Sequence, residues 1–293
     1  MTEENREKIR EIEDTIVFEK IDLNIINQLG TKTIAKHTKN TWQPNRKPRE
    51  IIQDTRQGKI AEYYVDYYLN KILKLNYLPY DYFRKDNFKK HAPFDGVLIQ
   101  NTDDTIINKF KNKINEEINN SRKAGTISKE LHEQMIENHL YTVEIKSTNV
   151  ANCKLEFSSC SNEDEYLKKI ILFIKEKHDY LEYPHLCRSS NSISNINDYF
   201  NEFYKDKCTN INEIKKFEIP FMKYFYIRVY VDFKDKRVFI IGFIPRDKFF
   251  ENGPMIKKMV RKNKSENAIY FAKNIKQVNI PIKKLKNYLE GLL

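Results

Sequence analysis

Residues 224–250 read YFYIRVYVDF, KDKR, VFIIGFIPRDKFF, two runs rich in aromatic and β-branched side chains around a short polar stretch. Such runs suit a pleated strand, and the polar tetrapeptide reverses the chain, so the segment is predicted to be a β-hairpin. Neither run alternates cleanly with polar residues. Both faces must therefore be covered, which puts the hairpin in the middle of a sheet. A chain carrying this hairpin must supply neighbouring strands and helices to cover them, an α/β or α+β architecture.

The rest of the sequence offers candidates for both. Tyr166, Ile170, Phe173, Ile174 and Leu181 recur at helical spacing over residues 163–182, and Ala61, Val65, Tyr68 and Ile72 do so in a helix expected to start near Asp54 or Thr55. Over residues 2–29, Ile9, Ile12, Ile16, Ile21, Leu23 and Ile26 stand among charges until Gly30, a pattern predicting an N-terminal helical arm. Residues 31–50 carry prolines, the single Trp and many basic side chains, and read as an irregular connection. The arm and connection thus span 1–50, and one larger domain spans 51–293, with a basic segment from Met255 and a short helix within IKKLKNYLEGLL at its end.

Composition narrows the function classes. A chain of 293 residues, 40% hydrophobic, can bury a core, and 18 Tyr and 18 Phe against 7 Gly argue against disorder. Its 52 Lys+Arg against 41 Asp+Glu leave a net charge of +11, which favours a polyanionic partner, although AT-rich codon usage also raises lysine content. The charged N-terminus MTEENREKIREIEDT lacks an apolar leader, and no long apolar run follows, so a cytoplasmic protein without a membrane partner is expected. Cys153, Cys160, Cys187 and Cys208 form no C-x-x-C pair; even with His178 and His185 nearby, they read as independent thiols. No Walker A loop, G-x-G-x-x-G or G-x-S-x-G elbow occurs.

Two further strands are unusual in their acids. HAPFDGVLI, residues 91–99, and YTVEIKST, residues 141–148, place Asp95 and Glu144 among Phe94, Val97, Leu98, Val143 and Ile145. An acid there is costly unless a metal, a lysine or a phosphate-bound group compensates it. Alternation puts Thr142, Glu144 and Lys146 on one face and Val143 and Ile145 on the other. Between the two strands, residues 101–140 form a polar, helix-patterned insertion broken at Gly125-Thr126. Carboxylates and a lysine on neighbouring strands suit phosphodiester hydrolysis, since carboxylate oxygens bind Mg²⁺ and a lysine can orient water or offset phosphate charge.

These residues resemble the PD-(D/E)XK nuclease superfamily. Pro93-Phe94-Asp95 stands where the family has Pro-Asp, with one extra residue between, and Glu144-Ile145-Lys146 matches the (D/E)-X-K triplet. An acidic helix, two strands, a helix and a hairpin follow the family's order over residues 54–245. The resemblance implies a restriction-endonuclease-like fold, a central mixed sheet flanked by helices. It also implies an endodeoxyribonuclease that needs Mg²⁺, with Mn²⁺ able to substitute. Asp95, Glu144 and the carbonyl of Ile145 would hold metal, Lys146 would position water, and Glu62, in GKIAEYYV, would join them from the preceding helix. Without that context Glu62 reads as a boundary residue and Lys146 as half of a surface ion pair.

Size and the single nuclease core point to a stand-alone type II restriction endonuclease, acting on double-stranded DNA as a homodimer and functionally paired with a DNA methyltransferase. Lys89, Lys90, His91, Lys257, Lys258 and Arg261 are candidate DNA contacts, for each of which solvation is the plainer reading. Two alternatives stand beside this one: a repair, transposition or phage-defence nuclease of the same fold, and a DNA-binding protein with an inactive nuclease core.

Overall fold

A seven-stranded mixed sheet and a three-stranded sheet organise the computed structural model, which describes residues 8–25, 30, 47–120, 126–153, 160–186, 192–253, 255–260 and 267–292. In chain order the elements are β1 (Lys8–Ile12), β2 (Thr15–Glu19), α1 (Pro48–Tyr67), β3 (Asn76–Pro79), β4 (Gly96–Ile99), α2 (Asp104–Asn120), α3 (Lys129–Glu137) and β5 (Leu140–Asn149). There follow α4 (Glu163–Lys177), β6 (Asp179–Glu182), β7 (Phe225–Asp232), β8 (Arg237–Pro245), β9 (Met255–Val260) and β10 (Asn267–Asn274). Short helical turns complete the chain, among them Leu285–Glu290 where a final helix is expected.

The large sheet runs β1-β2-β8-β7-β5-β4-β3. β3, β4 and β5 form an antiparallel meander, and β5 then pairs in parallel with β7. A parallel partner cannot be reached through a tight turn, so the intervening chain, including α4, crosses over the sheet. β7 and β8 are the expected hairpin, and it lies inside the sheet with nearly every residue buried. Its register slips between Arg228 and Val229, a bulge that leaves Gly242 at φ +155. Asn279 and Ile280 close on that glycine so tightly that a Cβ would stand 2.3 Å from the Asn279 amide oxygen.

Alternation along the central strands divides the core in two. Val143, Ile145, Ile227, Val229 and Ile240 pack beneath Ile60, Ala61, Tyr64 and Val65 of α1. Tyr226, Tyr230, Phe239 and Ile241 face the other way, onto Leu167, Ile170 and Ile174 of α4 and Ile269 and Phe271 of the small sheet. A third cluster sits under the insertion between β4 and β5, where Phe110, Ile114, Ile118, Leu131 and Met135 cover Phe94, Val97 and Leu140. The helical insertion is thus present as expected, and its apolar stripe packs on its own core.

Three expectations are corrected. The described part of the N-terminal segment is not a helical arm: residues 8–19 form the β1–β2 hairpin, and β2 adds to the large sheet through Ile16↔Ile240, Val17↔Phe239 and Phe18↔Val238. Glu13 and Asp14, at φ 48 and 60, make the two-residue turn whose twist matches paired strands. α1 starts at Pro48 rather than near Asp54, because proline's fixed φ and missing N–H suit the first helical turn. The helical pattern over residues 163–182 ends at Lys177, and residues 179–182 are strand β6, paired with β10. Residues 31–46 of the basic connection, Gly125, Cys187 and Arg261 lie outside the described residues, as do the side chains of Cys153 and Lys258.

Candidate active site

β4 and β5 pair from Ile99↔Leu140 to Gly96↔Val143, so the next position sets Asp95 opposite Glu144. Asp95 is locked there from both sides. Its N–H donates to the Val143 carbonyl at 2.9 Å, and its Oδ2 accepts the Ile145 N–H at 2.6 Å. One strand position along, Glu144 Oε1 accepts from Lys146 Nζ at 2.5 Å. Both side chains lie on the face opposite Val143 and Ile145, half-buried. Across the β5–β7 pair, Arg228 in register with Lys146 donates to the Lys146 carbonyl and to Thr148 Oγ1, fixing the strand that carries the cluster.

α1 packs through Ile60, Ala61 and Val65 on the sheet face that carries Val143 and Ile145, and from there Glu62 comes within charge range of Asp95 and Glu144. Lys59 precedes Glu62 by one helical turn and donates to Glu62 Oε2 at 2.5 Å and to Asp81 Oδ2 at 2.6 Å. The glycine of the Asp95-Gly96 pair has a steric reason: a Cβ at Gly96 would lie 2.3 Å from the Tyr77 hydroxyl and 2.4 Å from its Cζ.

Charge couples the three acids. Burial pushes the Asp95 carboxyl well above the ordinary carboxylate range, and the charges of Glu144 and Glu62 push it further, against the Ile145 N–H. Burial also raises Glu62; Lys59 opposes this, while Asp81 and Glu144 add to it. Glu144 differs: burial raises it, but Lys146 and Lys223 together hold it below its ordinary value. Lys146 is itself raised, since the pull of Glu144 and Glu182 exceeds the burial that would lower it. The site thus holds a charged lysine beside carboxylates that repel one another.

Asp95, Glu144, Lys146 and Glu62 are therefore brought together. The candidate DNA contacts are more dispersed. Lys89 is exposed and His91 half-buried on the loop leading to Asp95, whereas Lys90 donates to the Ile118 and Asn119 carbonyls at the end of α2. Lys257 pairs with Asp179 at 2.6 Å on the small sheet. Of the cysteines, Cys160 and Cys208 are free thiols. Sequence reasoning passed over Lys59, Asp81, Lys223 and Glu182. Lys59 was readable from its spacing to Glu62; the other three come from distant loops and a short strand with no local signal.

Among the described residues no group of three or more His, Cys, Asp or Glu side chains is assembled to hold a metal ion. The donor chemistry of Asp95 and Glu144 still fits a hard divalent cation. Mg²⁺ needs only one or two protein carboxylates beside water and phosphate oxygens, and a cation would offset both the burial and the charges of Glu144 and Glu62 that raise Asp95. Lysines now supply positive charge to Glu144 and Glu62. No family model, curated protein or solved structure matches the chain. No described helix is long and apolar enough to cross a membrane.

Proposed function

We propose that this chain is a metal-dependent endodeoxyribonuclease of the PD-(D/E)XK type, hydrolysing phosphodiester bonds in double-stranded DNA. The observation that carries the reading is the convergence of Asp95, Glu144 and Lys146 on two paired strands, with Glu62 reaching them from α1. The order α1, β3–β4–β5, α4, β7–β8 supports a restriction-endonuclease-like fold, since it repeats the order of elements the resemblance implies.

Asp95, Glu144 and the Ile145 carbonyl would hold Mg²⁺, or Mn²⁺ in its place, with Glu62 as a further acid. A bound divalent ion supplies Lewis acidity, lowering the pKa of water and offsetting charge on the phosphate. The chain's own part is orientation. The Ile145 amide fixes the Asp95 carboxylate, and Lys146, kept charged by its acidic neighbours, can donate to the attacking water or to a non-bridging phosphate oxygen. The net charge of +11 favours encounter with a polyanion.

Within this reading the chain acts as a type II restriction endonuclease, a homodimer on a palindromic site with a DNA methyltransferase as its counterpart. Plasmid cleavage with Mg²⁺ tests it. Asp95→Ala, Glu144→Ala and Lys146→Ala should each cut at least about 10³-fold more slowly while DNA binding persists, because these groups act on the transition state. Full activity in Glu144→Ala would overturn the assignment. Discrete fragments would support site specificity; a smear would favour a repair or defence nuclease of the same fold.

A further inference from the structure

Among the described residues Glu144 has two cationic neighbours, and only one of them belongs to the motif. Lys146 Nζ stands 2.5 Å from its Oε1, and Lys223 Nζ stands 3.9 Å from its Oε2. Lys223 comes from the loop entering β7, far from Glu144 in sequence. That loop is fixed on both sides: Arg246 Nη1 donates to the Ile219 carbonyl at 2.9 Å, and the Tyr224 N–H donates to Thr142 Oγ1 at 3.0 Å. Lys223 itself donates to Glu182 Oε1 at 3.1 Å, from the end of β6.

Glu182 is the unusual member. It is only 3% exposed, and its second oxygen, Oε2, is buried with no hydrogen-bond partner among the described residues. The Tyr226 hydroxyl, on the residue in register with Glu144, is buried without a partner too. A buried carboxylate is costly unless it is paired, and the Glu182 carboxylate is paired with Lys223 through Oε1 alone. Here it holds an ammonium beside the acid that the nuclease reading assigns to metal.

We propose that Lys223, anchored by Glu182, is a positioning residue of the cleavage site: through a long ion pair with the second carboxylate oxygen of Glu144 it sets how strongly the acids attract a divalent cation. The inference rests on the nuclease reading of Asp95, Glu144 and Lys146. Its content is electrostatic. Lys223 competes with an incoming cation for Glu144, and Glu182 keeps that competition in check by drawing the ammonium toward itself.

Opposite charges then give opposite effects. Titration calorimetry of the full chain with Mg²⁺, and with Ca²⁺, should show Lys223→Met binding the cation about tenfold more tightly, and Glu182→Gln binding it about tenfold more weakly, as a unit charge nearby gives in a partly solvated site. Lys223→Arg, which keeps the charge, should stay within about threefold of wild type. Lys223→Met should also cut more slowly at saturating Mg²⁺, because Glu144 loses the contact that orients it. A purely structural pair would instead weaken binding in both variants together.

Where thermal melts show Lys223→Met unfolded by its stranded Glu182, Lys223→Met/Glu182→Gln replaces it. That double variant should bind more tightly than Glu182→Gln alone. Equal or weaker binding would overturn the proposal, as would shifts of the same sign in Lys223→Met and Glu182→Gln. If wild type binds neither cation, or Glu144→Ala binds as well as wild type, the nuclease reading itself fails. If Glu144→Ala loses binding while the Lys223 and Glu182 variants do not shift it, only the present inference fails.

Discussion

Asp95 owes its place to a neighbour that has no side chain. Gly96 lets the Tyr77 ring lie against β4, and the Tyr77 hydroxyl is buried without a partner beside the acids. Gly96→Ala would drive a methyl into that ring, so the strand or the tyrosine must shift, a change worth about 1–3 kcal/mol. Urea unfolding should register the loss, and cleavage should fall with it because Asp95 is the residue immediately before β4. Adding Tyr77→Ala should recover activity lost to the clash, though not the packing of the ring. If Gly96→Ala is as stable and active as wild type, the close approach of Tyr77 is not what selects glycine here. The same locality explains what the sequence discloses. Asp95, Glu144 and Lys146 announce themselves because they interrupt apolar strands at a motif's spacing, whereas Lys223 and Glu182 stand among apolar neighbours, FMKYF and YLEYP, at no such spacing and acquire meaning only when the crossover brings them to Glu144.

At the scale of elements, a buried histidine links the insertion between β4 and β5 to β5 itself. His132 of α3 has its Nδ1 3.2 Å from the Pro220 carbonyl and its Nε2 2.7 Å from Thr142 Oγ1, an arrangement that uses a neutral ring donating at Nδ1 and accepting at Nε2. Burial lowers its pKa to about 4, helped by Arg246 and Lys223 and opposed by the Pro220 carbonyl. The unfolded chain, with an ordinary histidine, binds the proton first as pH falls. Stability from this residue is therefore full above about pH 6.5 and declines toward pH 4, by up to about 3 kcal/mol. Urea melts at pH 7 and pH 4.5 should show a smaller decline in His132→Gln than in wild type; equal declines would count against the neutral, buried ring. Phe110, 3% exposed in the same unit, covers Phe94 and Val97, so Phe110→Ala should cost about 3–5 kcal/mol. A chemical denaturation midpoint near that of wild type would show instead that the insertion is dispensable. Strands β4 and β5, helix α4 and the β7–β8 hairpin were legible because period and run length are local, whereas the four-residue β3 was not read. The N-terminal hairpin was not: Ile9, Ile12 and Ile16 fit helical spacing equally well, and Glu13-Asp14 is a weak turn signal beside Asn-Gly. β9 and β10 went unread as well: MIKKMV is broken by two lysines, and NAIYFAKN has an apolar run of only five residues, AIYFA, flanked by polar ones.

For the whole molecule, the seven-stranded sheet ties the two ends of the sequence together. β2 contributes Val17 and Phe18, both fully buried, and covers the outer edge of β8. A chain beginning at Lys20 would leave Val238, Phe239 and Ile240 on an open edge, an invitation to pair with another chain. Such a truncation should lose more than about 3 kcal/mol and elute as aggregates in size-exclusion chromatography; a monomer of near wild-type stability would show the hairpin to be an accessory. The same pairing has a consequence in time. Residues 16–18 leave the ribosome long before residues 238–240, their partners in the sheet. At about 5–20 residues per second the first hairpin waits on the order of 10–40 s with its apolar face uncovered. Newly made chains pass through a vulnerable interval that ends only when β8 emerges, so a stalled ribosome or a premature stop upstream of Arg237 releases a sticky fragment.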